Sequence, residues 1–166
     1  MEVEVQKAKC ACYNTGMNIY IGADHRGFNL KGQLEAALKN DGYAVIDVGD
    51  EKFVADDDYT DYARAVAENV GKDPEARRGI IICGSGFGVD IAANKIKGIR
   101  AALAMSPDHI YQGRHDDDVN VLAISADFVA GDDALKMVKV FLTTPFAKEE
   151  RYVRRLRKIS DIEEGK

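Results

Sequence analysis

At 166 residues, with a net charge of −5, 46% apolar and 31% charged residues, the chain has the makeup of one soluble globule able to bury a core. The acidic balance argues against a nucleic-acid or anionic-membrane surface, no apolar run approaches a membrane span, and the N-terminus MEVEVQKAKC lacks the basic-then-apolar order of a signal peptide. An odd set of cysteines, Cys10, Cys12 and Cys83, makes a poor disulfide framework and points to a reducing, cytoplasmic setting.

Residues 1–16 read as an extension with no clean period, ahead of a single domain over residues 17–166. Cys10 and Cys12 supply half of a zinc-ligand set, but no second Cys or His pair follows nearby, so no metal is expected. MNIYIGA (17–23) is an apolar, β-branched run ending on small residues, and predicts a strand. Phe28, Leu30, Leu34, Ala37 and Leu38 then form a helical stripe closed by Gly42. YAVIDVG (43–49) predicts a second strand. The acidic connection DEKFVADDDYTD (50–61) is long enough to suggest a task of its own.

The next helix carries Ala63, Val66, Ala67 and Val70 on one face. GIIIC (79–83) predicts the third strand, GVDIAANKIKG (88–98) a helix and IRAALAM (99–105) the fourth strand. SPDHIYQGRH (106–115) predicts a helix with Pro107 in its first turn, and VNVLAIS (119–125) the fifth strand. DDALKMVKVFLTT and AKEERYVRRLRKI close the chain as two helices. Strands that alternate with helices and are continuous apolar runs predict a doubly wound α/β fold, its parallel sheet buried on both faces. Ligands of such sheets bind beyond the carboxyl ends of the strands.

One such end is CGSGFG (83–88). Glycines at 84, 86 and 88 let backbone approach a ligand, and successive N–H groups with the following helix N-terminus form an anion nest. Cys83 beside it is a candidate base next to a site for developing oxyanion charge, and is expected to be partly exposed. The plainer alternative is a buried strand-end cysteine. Asp24 and His25 end the first strand, suited to sugar hydroxyls and to a phosphate or proton, unless Asp24 is a helix N-cap. RHDDDVN (114–120) reads as a charged loop ahead of strand five. Arg151 and Arg155, four apart on a helix, suit a phosphate grip or a plain basic solvent face.

GADHRGFNLK, DYTDYA, IIICGSGFGVDIAANKIKGIRAAL, NVLAI and RYVRR together resemble the ribose-5-phosphate isomerase B / galactose-6-phosphate isomerase family over about residues 17–160. The resemblance implies a Rossmann-like three-layer sandwich with a five-stranded parallel sheet. It implies a homodimer or dimer of dimers with shared active sites, no cofactor, and a small-molecule sugar phosphate as substrate. The reaction implied is aldose–ketose isomerisation through a cis-enediolate, of the ribose 5-phosphate/ribulose 5-phosphate type and so in the pentose phosphate pathway. By position, Cys83 is then the base, and Ser85 assists ring opening. The turn formed by Gly84, Gly86, Phe87 and Gly88 binds the substrate, with its backbone N–H groups on the enediolate oxygen. Asp24 and Tyr59 contact the sugar. His25, Arg151 and Arg155 contact the phosphate, some from the partner chain. Family members with a Glu base carry it where this chain has Val89.

The chain departs from the family where ribose-type members carry Arg-x-His-Asn before strand five: here stand Arg114, His115, Asp116 and Asp117. Aligned without a gap, Asp116 takes the place of the ring-opening His and Asp117 that of the Asn, with His115 one residue off. Asp127 stands where such members often place a phosphate-binding Arg, and its charge would repel a dianion. A tetrose phosphate, which cannot cyclise, needs no ring-opening His; a tetrose or hexose phosphate therefore stays open as substrate. A non-catalytic sugar-phosphate-binding subunit is the competing class, disfavoured by the thiol. A dinucleotide module is weaker, because CGSGFG does not follow the first strand.

Overall fold

The structure, a computed structural model, describes residues 16–166; the expected extension and the Cys10/Cys12 pair lie outside the described residues, apart from Gly16. The elements are β1 (Asn18–Ala23), α1 (Phe28–Asn40), β2 (Ala44–Asp47), α2 (Tyr59–Gly71), β3 (Arg77–Cys83), α3 (Phe87–Ala93), β4 (Ala101–Leu103), α4 (Pro107–Asp117), β5 (Val121–Ser125), α5 (Gly131–Thr143) and α6 (Glu150–Glu163). The strands form one parallel five-stranded sheet in the order β2-β1-β3-β5-β4. No helix among the described residues is long and apolar enough to cross a membrane.

Alternate side chains of the strands feed two cores, as a pleated sheet requires. Ile19, Ile21, Ile80, Ile82, Leu122 and Ile124 pack with residues of α1 and α5. Tyr20, Ile81, Cys83, Val121 and Ala123 pack with Ala63, Val66, Ala67 and Val70 of α2 and Val89 and Ala93 of α3. This is the expected three-layer arrangement. Burial on both faces holds for β1, β3 and β5 but not for the edges: β2 and β4 are half-exposed.

Three local readings are corrected. β3 begins at Arg77, two residues before the apolar run, because both arginines satisfy their guanidinium groups on carbonyls: Arg77 on Asn69 at 2.8 Å and Arg78 on Pro74 at 2.7 Å. α3 stops at Ala93, since the Asn94 amide bridges to the backbone N and O of Ala101 at 2.9 and 3.0 Å and ties the chain to β4. α4 runs two residues past the expected 106–115 helix, so Asp116 and Asp117 belong to its last turn rather than to a charged loop. That turn is held by Asp118, in the left-handed conformation (φ 48°) that Asp tolerates, whose two oxygens take Arg114 and Arg100 at 2.7 Å each.

The sheet order sets where a ligand can sit. β1 connects outward to β2, while β3 lies on its other side, so the carboxyl ends of β1 and β3 flank the topological switch point. Asp24 and His25 follow one of these strands and Cys83–Gly88 the other.

Candidate functional site

Cys83 ends β3 opposite Ser125 of β5, and Gly86 opens α3 in a left-handed conformation (φ 80°) that folds its N–H back onto Cys83 Sγ at 3.1 Å. A Cβ at Gly86 would collide with Leu103, and one at Gly88 would lie 2.7 Å from the Tyr59 ring. Only glycine lets the turn close this tightly, and Tyr59 rests directly on it. The Gly84 carbonyl is turned inward, accepting from Ser125 Oγ at 2.7 Å and from the Asp127 N–H at 3.0 Å. Contrary to expectation, Cys83 is 4% exposed, walled by the α2/α3 core; Ser85 is half-buried and Phe87 exposed. Val89 is buried, and residues 80–89 hold no carboxylate or imidazole, their protic side chains being the Cys83 thiol and the Ser85 hydroxyl.

Asp24 is not the N-cap of α1. That position is Gly27, and Asp24 Oδ1 instead accepts from the N–H groups of Arg26 and Gly27 at 3.0 Å each, closing the β1–α1 turn. His25 is held by a residue that sequence reasoning missed. Asp57 Oδ1, from the acidic connection, takes the His25 N–H at 3.0 Å and its Nδ1 at 2.6 Å, leaving Nε2 for a ligand. The long connection is also fastened by Tyr62 Oη donating to Asp50 at 2.6 Å and by Lys31 Nζ donating to the Asp50 carbonyl at 2.8 Å.

Burial works to raise the Asp57 carboxyl, but hydrogen bonds from the His25 backbone and ring and from Tyr62 outweigh it and hold it below its ordinary 3.8. A carboxyl depressed on folding adds stability above its unfolded pKa and loses it as pH falls through the folded value. In melting curves, Asp57→Asn is therefore expected to be less stable than wild type at neutral pH, with the gap narrowing below about pH 4. A gap that is constant with pH would contradict it.

His115, Asp116, Arg151 and Arg155 come together elsewhere, around the buried Tyr152 ring. His115 Nδ1 meets Asp116 Oδ1 at 2.7 Å, and its ring stacks on Tyr111 at 5.4 Å and meets Tyr152 edge-on at 6.1 Å. The Arg151 and Arg155 guanidinium carbons lie 4.5 and 5.8 Å from the Tyr152 ring centre, and Arg151 also donates to Tyr152 Oη at 2.7 Å. The hydrogen bond from His115 holds the Asp116 carboxyl below its ordinary value, against its small burial. Asp117 points elsewhere, lining a cavity of about 410 Å³ with His109 and Gln112.

Within one chain these two groups do not meet. Cys83, Asp24 and His25 sit at the carboxyl ends of the strands; His115 lies on the last turn of α4, before the amino end of β5. The five residues of β5 alone separate the two ends by about 13 Å. No group of three or more His, Cys, Asp or Glu among the described residues is placed to hold a metal ion.

Residues 19–159 match a family model described as Ribose/Galactose Isomerase. A probable ribose-5-phosphate isomerase B of Mycoplasma genitalium is 42% identical over 142 residues, 86% of this chain and 93% of that protein. Ribose-5-phosphate isomerase B of Mycobacterium tuberculosis is 38% identical over 149 residues, 90% of this chain and 91% of its own. A crystal structure of the Mycoplasma genitalium enzyme with bound ribulose-5-phosphate superposes with a TM-score of 0.87 at 41% identity, covering 90% of this chain and 98% of that one. Ribose-5-phosphate isomerase B of Clostridium thermocellum gives 0.85 at 42% identity, covering 90% and 99%.

Proposed function

The chain belongs to the ribose/galactose isomerase family, and from that premise we propose that it interconverts ribose 5-phosphate and ribulose 5-phosphate, with Cys83 as the base. The observation that carries the assignment of Cys83 is its place beside the Gly84–Gly88 turn, with a backbone N–H aimed at the sulfur. Sγ, as the thiolate, takes the proton from C2 of the open-chain aldose and becomes the thiol. The electrons move into the carbonyl, giving a cis-enediolate whose oxyanion is met by the N–H groups of the turn. The proton returns to C1, and the hydroxyl proton passes from O2 to O1, giving the ketose. Asp24 and Tyr59 hold the sugar hydroxyls, and His25, fixed by Asp57, meets the phosphate through Nε2.

Ring opening comes first for a pentose phosphate. It needs a group to move the anomeric hydroxyl proton to the ring oxygen. The His115–Asp116 pair supports that role: Asp116 holds Nδ1–H, so Nε2 is the accepting nitrogen. The shift of His by one residue in sequence is thus compatible with a pentose substrate. Ser85, in the turn, assists.

The pair is at the far end of the sheet from its own chain's Cys83, so a homodimer completes each site: one protomer brings Asp24, His25, Tyr59 and Cys83–Gly88, its partner His115, Asp116, Arg151 and Arg155. Exposed Phe87, Ile91 and Phe128 around the Cys83 end support burial of this edge against another copy. A dimer of dimers preserves the same unit. In this reading the enzyme works in the cytoplasm.

The test is turnover of ribose, allose, galactose and erythrose phosphates by the purified protein. Ribose 5-phosphate is expected to exceed erythrose 4-phosphate in kcat/KM by about tenfold or more, because a working ring-opening pair is of use only to a cyclising substrate. A higher kcat/KM on erythrose 4-phosphate would overturn the pentose assignment. No turnover on any of them, with binding retained, would point to a non-catalytic subunit.

A further inference from the structure

The β1–α1 turn carries a third charged side chain beside Asp24 and His25. Arg26 has its backbone N–H fixed by Asp24 Oδ1, and its guanidinium crosses to β5, where it forms an ion pair with Asp127. On the way it lies over the first residue of the Cys83 turn: the guanidinium fills the space that a Cβ on Gly84 would need. Asp127 is itself held in register, its N–H donating to the Gly84 carbonyl at 3.0 Å and that of Ala126 to the Cys83 carbonyl at 2.9 Å. The charge of Asp127 therefore does not face the site bare; it is spent on a cation standing over the nest.

Stability alone does not explain this arrangement. The Arg26 side chain is 53% exposed and Asp127 35%, and ion pairs this open contribute little. A guanidinium has five N–H donors in a planar fork, and one carboxylate oxygen uses a fraction of them. The remainder stand at the mouth of the turn, in a geometry that matches phosphate oxygens. Resting on the isomerase reading above, we propose that Arg26 is a substrate-binding residue that takes the phosphate of the sugar phosphate, with Asp127 a positioning residue that aims it.

Inorganic phosphate is the probe, bound to the full-length protein and measured by calorimetry, alongside steady-state kinetics on ribose 5-phosphate. Arg26→Met is expected to raise both the Kd for phosphate and the KM by about tenfold, with kcat within about threefold. Arg26→Lys, which keeps the charge but not the fork, is expected to fall between. The charge-swapped double variant Arg26→Asp/Asp127→Arg keeps the ion pair and moves the guanidinium to the other strand end; it is expected to recover phosphate binding to within a few-fold of wild type.

Unchanged phosphate affinity in Arg26→Met with a lowered melting temperature would overturn the proposal, making the pair structural. So would a fall in kcat without a change in phosphate affinity, which would put Arg26 on the enediolate instead. Should Arg26→Met not fold, the double variant decides, and loss of phosphate binding there overturns the proposal. Phosphate binding needs no turnover, so a wild type that isomerises nothing would sink the isomerase reading while leaving this comparison to be judged separately.

Discussion

Cys83→Ala is expected to lower kcat on ribose 5-phosphate by about 10²- to 10⁴-fold, the usual contribution of a positioned general base, while leaving the Kd for inorganic phosphate within about twofold. The substitution removes one heavy atom from a side chain already packed against the α2/α3 core, so the fold and the glycine turn stay in place. What disappears is the atom able to accept a carbon-bound proton, and no neighbouring group substitutes for it: Ser85 carries a hydroxyl and Val89 is a buried hydrocarbon. The proposed oxyanion donors are backbone N–H groups and survive the change, which is why binding should outlast turnover. Single-turnover measurements with saturating substrate separate the two. A variant that keeps most of its kcat would remove Cys83 from the mechanism, and one that loses phosphate binding in parallel would show that the turn itself had been disturbed.

The parts of the site that were legible in the sequence are those where local pattern and position on the sheet agree. Met17–Ala23 and Gly79–Cys83 are apolar runs that stop at Asp24 and at a glycine turn, so the strand ends and the chemistry at them could be placed together. What was hidden depends on pairs distant in the chain. Asp57 holds His25 across 32 residues, from an acidic stretch with no periodicity to mark which carboxylate turns inward. Arg26 and Asp127 are 101 residues apart, so Asp127 read as repulsion when its partner was out of view. Burial of Cys83 was missed for a related reason. A strand-end position gives no sign of how closely α2 and α3 cover it, which is set by Ala63, Val66, Val89 and Ala93 in the same cluster. The charge of Arg114–Asn120 suggests solvent, while Arg114 is buried, donating to the Val119 carbonyl at 2.6 Å and to Asp118 at 2.7 Å.

Mixing two inactive proteins is expected to restore activity. His115→Ala should lose about 10²-fold in kcat, since it removes the proposed ring-opening proton carrier but touches neither the thiol nor the nest. Cys83→Ala leaves the His115–Asp116 pair intact. If each site takes Cys83 from one protomer and His115 from the other, a mixed dimer has one site with both defects and one with neither. Random exchange makes half of the dimers mixed, so activity should return to about a quarter of the wild-type value per protomer. That is far above the sum of the two residual activities, and it requires no new contact, only the exchange of subunits. Unfolding and refolding the proteins together, against each refolded alone, supplies the control for slow exchange. The opposite geometry gives the opposite result. Were His115 to serve the Cys83 of its own chain, every mixed dimer would hold two broken sites and the mixture would stay at the mean of its parts. The distance along β5 between the two groups favours recovery, because no side-chain rotation carries His115 from the amino end of the sheet to the carboxyl end.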